Sequence, residues 1–294
     1  MKQFFFVNPL ILVNLGIFIS FEYNIVKVKK EAQKLETPLL EFFDINFSYH
    51  TISCETTSLK DISFKLYKNE FISFVGPSGC GKTTLLNIVA GLLQPASGSI
   101  HLNGKPAAIN DLNIGYMLQK DHLLEWRSIY KNLTLGLEIQ KKLDPTHLAI
   151  IDDLLHTYGL WDFKDSYPRQ LSGGMRQRAA LIRTLALSPD ILLLDEPFSA
   201  LDYQTRLNVS DDIGSIIKEN HISTLLVTHD LTEAISMSDR VIVLSKRPGT
   251  IKKIVPIRLS LNNRTPKTSR NAPEFNDYYN EIWEAIYDEN EDFS

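Results

Sequence analysis

The run E-F-I-S-F-V-G-P-S-G-C-G-K-T-T-L-L, from Glu70 to Leu86, decides how the rest of the chain is read. A short apolar stretch ends at a glycine, a glycine-rich loop follows, and apolar residues then recur at helical spacing as far as Leu93. The loop matches G-x-x-x-x-G-K-[ST] at every fixed position, Gly76, Gly81, Lys82 and Thr83, with a strand before it and a helix after it. Glycines let backbone N–H groups turn inward around phosphate, and the helix points its positive end at the same place. The candidate phosphate-binding residues are therefore Gly76, Pro77, Ser78, Gly79, Cys80, Gly81, Lys82, Thr83 and Thr84. Lys82 is suited to neutralise β/γ-phosphate charge, and the Thr83 hydroxyl to ligate Mg²⁺. A plain glycine turn with a chance lysine is the bland alternative, and both flanks speak against it.

A second chemical signal is I-L-L-L-D-E-P, Ile191 to Pro197, an apolar strand ending in two adjacent carboxylates. Strand ends of α/β sheets are where ligands sit. Asp195 is the candidate to hold Mg²⁺ through water, because Mg²⁺ keeps most of its hydration shell. Glu196 is then placed to polarise or deprotonate a water attacking a γ-phosphate. A third signal, L-S-G-G-M-R-Q-R from Leu171 to Arg178, again sets a serine and two glycines before a basic helix. One nucleotide site has no evident use for two phosphate cradles.

Outward from these motifs, L-E-F-F-D-I-N-F-S-Y from Leu40 reads as a strand, and Leu59, Ile62, Phe64 and Leu66 suit a second. His50 to Thr57 is polar and expected to be a loop. Asn103-Gly104 between strand-like residues signals a hairpin. Trp126 to Lys142 and Thr146 to Tyr158 look helical, with Asp144 before Pro145 as a cap. A βα rhythm then resumes: a helix through Ala186, the strand ending in Asp195, a helix from about Tyr203, then T-L-L-V-T, a last helix and R-V-I-V-L-S. The predicted fold class is α/β, with a mainly parallel core sheet covered on both faces and a small antiparallel β part near its start. The expected organisation is an extension over 1–37, a nucleotide-binding domain over 38–250 with a helical insert at about 120–187, and a tail over 251–294. That acidic, aromatic tail is expected to form one helix, with Tyr278, Tyr279, Ile282, Trp283 and Ile286 toward the body.

The chain has 294 residues, 44% hydrophobic and 22% charged, enough for a sizeable core. A net charge of −4 gives no reason to expect a nucleic-acid partner. Of the two cysteines, Cys80 lies in the glycine loop, where a disulfide would obstruct a nucleotide, so a reducing compartment is expected. Phe4 to Ile19 is apolar but contains Asn8, Pro9 and Asn14 and falls short of the ~20 residues of a spanning helix. Ile17 to Ser20 offers no A-x-A-like cleavage site. If the segment inserts, Lys27, Lys29, Lys30 and Lys34 hold the remainder on the cytoplasmic side. A dispensable extension, a weak anchor and a cleaved signal all stay open.

Taken together, these motifs are similar to those of the nucleotide-binding subunit of ABC transporters, over about Leu39 to Gly249. Leu171 to Arg178 resembles the family signature, Ser199 to Asp202 its D-loop, Gln119 in Y-M-L-Q its Q-loop, and His229 in V-T-H-D its switch histidine. The resemblance implies a P-loop NTPase fold with a helical signalling insert, ATP and Mg²⁺ as ligands, and ATP hydrolysis. It implies that Ser172, Gly173 and Gly174 serve the γ-phosphate bound by a second copy packed head to tail, which gives the second cradle its use. It also implies that Tyr49 stacks on adenine, that His229 contacts the γ-phosphate and orients the water, and that Gln119 reads Mg²⁺ or γ-phosphate occupancy. Two departures stand out. Asn69-Glu70 replaces the usual Gly-Glu, which a turn with positive φ would explain, and Thr83 replaces a commoner serine.

Within the family, G-P-S-G-C-G-K-T-T-L-L, the tryptophan of L-L-E-W-R and L-L-L-D-E-P-F-S-A-L-D look like the importer branch for nitrate, sulfonate, taurine or thiamine precursors. That branch implies an integral-membrane permease, an extracytoplasmic binding protein, and a peripheral place on the cytoplasmic face of the membrane. Leu123, Leu124 and Trp126 are read either as a groove for a permease helix or as core. The rival class is a soluble ABC ATPase acting on nucleic acid or the ribosome. The short distance from Lys82 to the signature and the single ATPase domain speak against it.

Overall fold

The computed structural model describes residues 37–50, 54–106, 112–261 and 264–287. The apolar N-terminal segment and the last residues of the tail lie outside them. Phe71–Val75 (β3) is buried at all five positions, as a strand covered on both faces must be. The same holds for Ile191–Asp195 (β7) and Ser223–Val227 (β8). With Leu40–His50 (β1), Glu55–Leu66 (β2), Ser97–Leu102 (β4), Lys105–Pro106 (β5), Ile114–Met117 (β6), Arg240–Leu244 (β9) and Ile251–Pro256 (β10), they make two sheets. The larger has the order β10-β9-β3-β8-β7-β6, all parallel except β10. The smaller is antiparallel, in the order β2-β1-β4-β5.

The helices are Lys82–Val89 (α1), Ile129–Leu133 (α2), Leu135–Gln140 (α3), Pro145–Thr157 (α4), Gly173–Leu185 (α5), Tyr203–Glu219 (α6), Leu231–Met237 (α7), Pro266–Ser269 (α8) and Phe275–Tyr287 (α9). Phe42 stacks on Phe64 at 4.8 Å between centroids, and Phe64 meets Phe74 edge-on at 5.2 Å. These rings join the small sheet to β3, and Cys80, Leu85 and Leu86 pack into the same core. The glycine loop is thus set at the junction of the two sheets. Phe275 and Ile282 of α9 are buried against Val75, Leu231, Val241 and Val243.

Local chemistry accounts for several boundaries. Asn103 (φ 49°) and Gly104 (φ 75°) both take the left-handed conformation that a tight hairpin requires, and they join β4 to β5. Asn69 has φ 62°, the conformation asparagine tolerates best after glycine. Asp144 caps α4 by accepting from the N–H groups of Thr146 and His147.

Three expectations need correction. The tail over 251–294 is not one helix: Ile251–Pro256 pairs with β9 as β10, α8 precedes α9, and Trp283 is exposed, not turned to the body. His50 to Thr57 is not all loop: Ser48, Tyr49 and His50 pair with Thr57, Thr56 and Glu55, because backbone pairing extends a hairpin without regard to side-chain polarity. Trp126 to Lys142 is not one helix. Buried Asn132 accepts from the Leu124 N–H and donates to the carbonyls of Leu124, Arg127 and Ser128, which holds that stretch as a turn. Ser128 then caps α2 by accepting from Lys131 N–H. Trp126 precedes the helix and is 75% exposed, whereas Leu123 is buried in the core of the helical part. Among the described residues, no helix is long and apolar enough to cross a membrane.

Candidate functional site

β3 delivers the chain at Val75 into Gly76–Gly81, and α1 begins at Lys82. Gly79 (φ 76°) and Gly81 (φ 106°) have left-handed backbones. A Cβ at Gly81 would lie 2.6 Å from Leu59 Cδ2, so that position needs glycine for space as well. Lys82 is buried, and its Nζ donates to the carbonyls of Gly76 at 2.8 Å and Pro77 at 2.9 Å. Its charge is therefore held directly over the loop. Ser78, Gly79, Gly81, Lys82, Thr83 and Thr84 line one pocket with Glu196, His229 and Arg247.

The end of β7 meets this pocket through Thr83. Thr83 Oγ1 donates to Asp195 Oδ1 at 3.3 Å. Burial pushes the Asp195 carboxyl up, as does neighbouring Glu196, while the Thr83 bond, Lys82 and Tyr116 oppose the rise. The Tyr116 hydroxyl is pushed up in turn, by burial first and then by Asp195. Glu196 has φ 45°, a conformation that costs a non-glycine residue roughly 1–2 kcal/mol. It is held by its N–H donating to Val227 O at 2.8 Å and by Ser199, whose N–H and hydroxyl both donate to its carbonyl. Strain of this kind is maintained where a side chain must be aimed. Glu196 Oε2 accepts from Gln119 Nε2 at 3.2 Å and lies 3.4 Å from His229 Nδ1.

His229 itself is exposed, on a loop fixed from both sides. Thr228 Oγ1 donates to Glu233 Oε2 at 2.6 Å, and Asp230 caps α7 by accepting from Thr232 and Glu233 N–H. Arg206 of α6 pairs with Asp230 at 3.2 Å and donates to the Leu201 carbonyl. This arginine ties Ser199–Asp202 to the histidine loop. Burial pushes Glu233 up to about 7, with Asp230 adding to the rise and Thr228, Arg206 and Arg270 opposing it.

The structure brings Gly76–Thr84, Asp195, Glu196, Gln119 and His229 together, and it brings Tyr49 to their edge. Tyr49 is 41% exposed, and its hydroxyl lies 3.1 Å from Thr84 Oγ1. It does not bring Ser172–Gly174 into this pocket. Ser172 caps α5 by accepting from Met175 N–H, and Gly174 packs α5 on Val209 and Thr205 of α6. Gly173 lines another cleft with Lys120, Asp121, His122, Arg176 and Leu201, which shares no residue with the first.

Two connections had no signal in the sequence. Arg176 of α5 pairs with Asp121 at 3.2 Å, and Arg183 donates to the carbonyls of His122 and Asp121. The segment after Gln119 is therefore bolted to the helix that carries Ser172. Arg247 at the pocket rim likewise has no signal in the sequence, because it lies in a loop with no motif of its own.

As chemistry, the pocket offers a glycine-rich loop, a buried ammonium, a hydroxyl beside a carboxylate, and a second carboxylate flanked by a carboxamide and an imidazole. Hard oxygen donors at Thr83 and Asp195 fit Mg²⁺. Neither cysteine is in a disulfide.

The chain is similar to known proteins in both sequence and fold. A family model described as ABC transporter matches residues 59–199. The chain is 47% identical over 242 residues to the uncharacterized ABC transporter ATP-binding protein YtlC of Bacillus subtilis, covering 82% of this chain and 93% of that one. It is 38% identical over 247 residues to the nitrate import ATP-binding protein NrtD of a Synechocystis species, covering 83% and 93%. It is 43% identical over 196 residues to the taurine import ATP-binding protein TauB of a Jannaschia species, covering 67% and 73%. Among solved structures, a dimer of the ATP-binding cassette MJ0796 bound to ADP and Pi matches with TM-score 0.64 at 26% identity, over 74% of this chain and 99% of that one.

Proposed function

The chain belongs to the ABC transporter family, as an ATPase of the P-loop cassette type, and on that premise we propose that it drives import of a small solute by closing head to tail on a second copy of itself. The observation that carries this reading is the separation of Ser172–Gly174 from the pocket built on Gly76–Thr84. A helix start of phosphate-binding type that lies apart from the phosphate pocket of its own chain gains a ligand when it faces the pocket of another copy. The dimeric cassette with ADP and Pi supports, by likeness, the pairing of two copies.

In this reading Gly76–Thr84 wraps the phosphates, Lys82 neutralises their charge, and Tyr49 stacks on the adenine. Thr83 and Asp195, with Gln119, hold Mg²⁺, which when bound neutralises β/γ-phosphate charge. Glu196 takes a proton from the attacking water, and His229 orients that water against the γ-phosphate. Ser172, Gly173 and Gly174 of the second copy donate to the same γ-phosphate. Hydrogen bonds to charged groups contribute about 1.5–3 kcal/mol each. Swinging an open–closed equilibrium from 1:99 to 99:1 takes about 5.5 kcal/mol. Two or three such bonds at each of two nucleotides are sufficient, and hydrolysis removes them.

Transport needs a partner in the membrane. Exposed Trp126 and Leu118 flank the segment that Arg176 and Arg183 tie to α5, and they form the surface offered to a permease helix. Relatives named for nitrate and taurine import support a small anionic or zwitterionic solute, and in this reading an extracytoplasmic binding protein delivers it to the permease. This chain then works at the cytoplasmic face of the membrane. Native mass spectrometry on tagged Glu196→Gln, gently extracted with MgATP from the membranes of its own cells, tests this reading. Two copies bound to a permease are expected. Two copies with nucleotide and no membrane partner would contradict the transport role.

A further inference from the structure

Arg247 is a cation at the nucleotide pocket to which no role has been given. It lines that pocket with Ser78, Lys82, Thr83, Glu196 and His229. The residue is exposed, and among the described residues its side chain has no ion pair, hydrogen bond or ring contact. Glu196, the one acidic residue lining the same pocket, is engaged by Gln119 and His229 instead.

The backbone that carries Arg247 is fixed. It belongs to a strap, Ser245–Thr250, between β9 and β10. Ser245 N–H donates to Thr250 O at 2.9 Å. Ser245 Oγ donates to the carbonyls of Lys246 and Pro248 and accepts from Thr250 N–H. Gly249 N–H donates to Ser58 O, and Lys60 N–H donates to Gly249 O, both at 2.9 Å. The strap also touches the phosphate loop directly: a Cβ at Gly249 would lie 2.1 Å from Cys80 O. The same Ser58 donates through Oγ to Thr84 Oγ1 at 3.3 Å. A pinned strap thus holds an unpaired guanidinium at the wall of a phosphate cradle. Guanidinium presents a rigid fork of donors that matches phosphate oxygens, and its charge is never lost at ordinary pH.

We propose that Arg247 binds phosphate oxygens of the nucleotide held by Gly76–Thr83 of the same chain, as a second cation beside Lys82. The proposal rests on the reading of this pocket as an ATP site. A flexible lysine at this position keeps the charge but loses the fork, so it replaces arginine only in part.

The test is equilibrium binding of ATP, and of tripolyphosphate, which carries the phosphates without a base. Wild type, Arg247→Gln and Arg247→Lys are compared at concentrations where sedimentation shows single copies. Arg247→Gln is expected to raise the Kd of both ligands by on the order of tenfold, with Arg247→Lys in between. The unfolding midpoint stays at the wild-type value, because the side chain is exposed and makes no hydrogen bond or ion pair among the described residues. An ATP Kd within twofold of wild type overturns the proposal. So does a loss confined to ATP with tripolyphosphate unaffected, which would place the guanidinium on the base. Failure of the wild type itself to bind ATP would count against the pocket's reading as an ATP site, not against Arg247 alone.

Discussion

Glu196 and His229 meet across the end of the central sheet, with Oε2 of the one 3.4 Å from Nδ1 of the other. The same carboxylate oxygen accepts from Gln119 at 3.2 Å, so one atom joins three segments of the chain. Glu196→Gln keeps the shape and removes the base. Steady-state phosphate release is expected to fall by roughly 10²–10⁴-fold, the usual contribution of a positioned base. Equilibrium ATP binding is expected to stay within a few-fold of wild type. Normal turnover by this variant would remove Glu196 from the catalytic role.

Gly249 is predicted to be intolerant of a side chain. It has no positive φ, so the cost is purely one of space, and the atom in the way is the backbone carbonyl of Cys80 at 2.1 Å. Gly249→Ala must push the strap off the phosphate loop, which costs about 1–3 kcal/mol by analogy with other overpacked sites. Chemical denaturation should show that loss, and ATP affinity should fall with it. A variant with unchanged stability and affinity would mean that the strap does not brace the loop.

Glu233 makes the fold sensitive to pH. Its folded value is raised from 4.5 to about 7, chiefly by burial. Below pH 4.5 the group is protonated folded or unfolded and costs nothing. Between 4.5 and 7 the unfolded chain releases a proton that the folded chain retains, so stability falls as pH rises. The full loss, reached above pH 7, is on the order of 3 kcal/mol. Denaturant unfolding of Glu233→Gln, compared with wild type from pH 5 to pH 8, should show this part of the slope removed. An unchanged slope would assign the effect to other groups.

Much of this architecture is legible in the chain because each decisive feature is local. Gly76, Gly81, Lys82 and Thr83 state the loop at fixed spacing, and Ile191–Glu196 states the strand end opposite it. Asn69 and Asn103-Gly104 mark left-handed backbone by residue type alone, and Asp144-Pro145 marks a helix start. What escaped the sequence depends on distant partners. Gly249 matters because Cys80 lies against it, and Arg247 because the strap is pinned to Ser58 and Lys60. Leu123 and Trp126 are equally apolar in the sequence, yet one is buried and the other exposed, because Asn132 turns the chain between them. The end of the β1–β2 hairpin looks like loop in the sequence for a related reason: polar residues such as Thr56 and Thr57 do not prevent backbone pairing.

The most direct test of the account mixes two inactive variants, Ser172→Arg and Lys82→Ala, carrying separable tags. If the helix start of one copy serves the pocket of the other, each homodimer has two defective sites. The purified heterodimer then pairs an intact loop with an intact Ser172 at one site. Phosphate release that reappears in verified heterodimers, up to about half the wild-type rate if its two sites act independently, is the predicted result. Heterodimers no more active than either parent would contradict a head-to-tail site shared between copies.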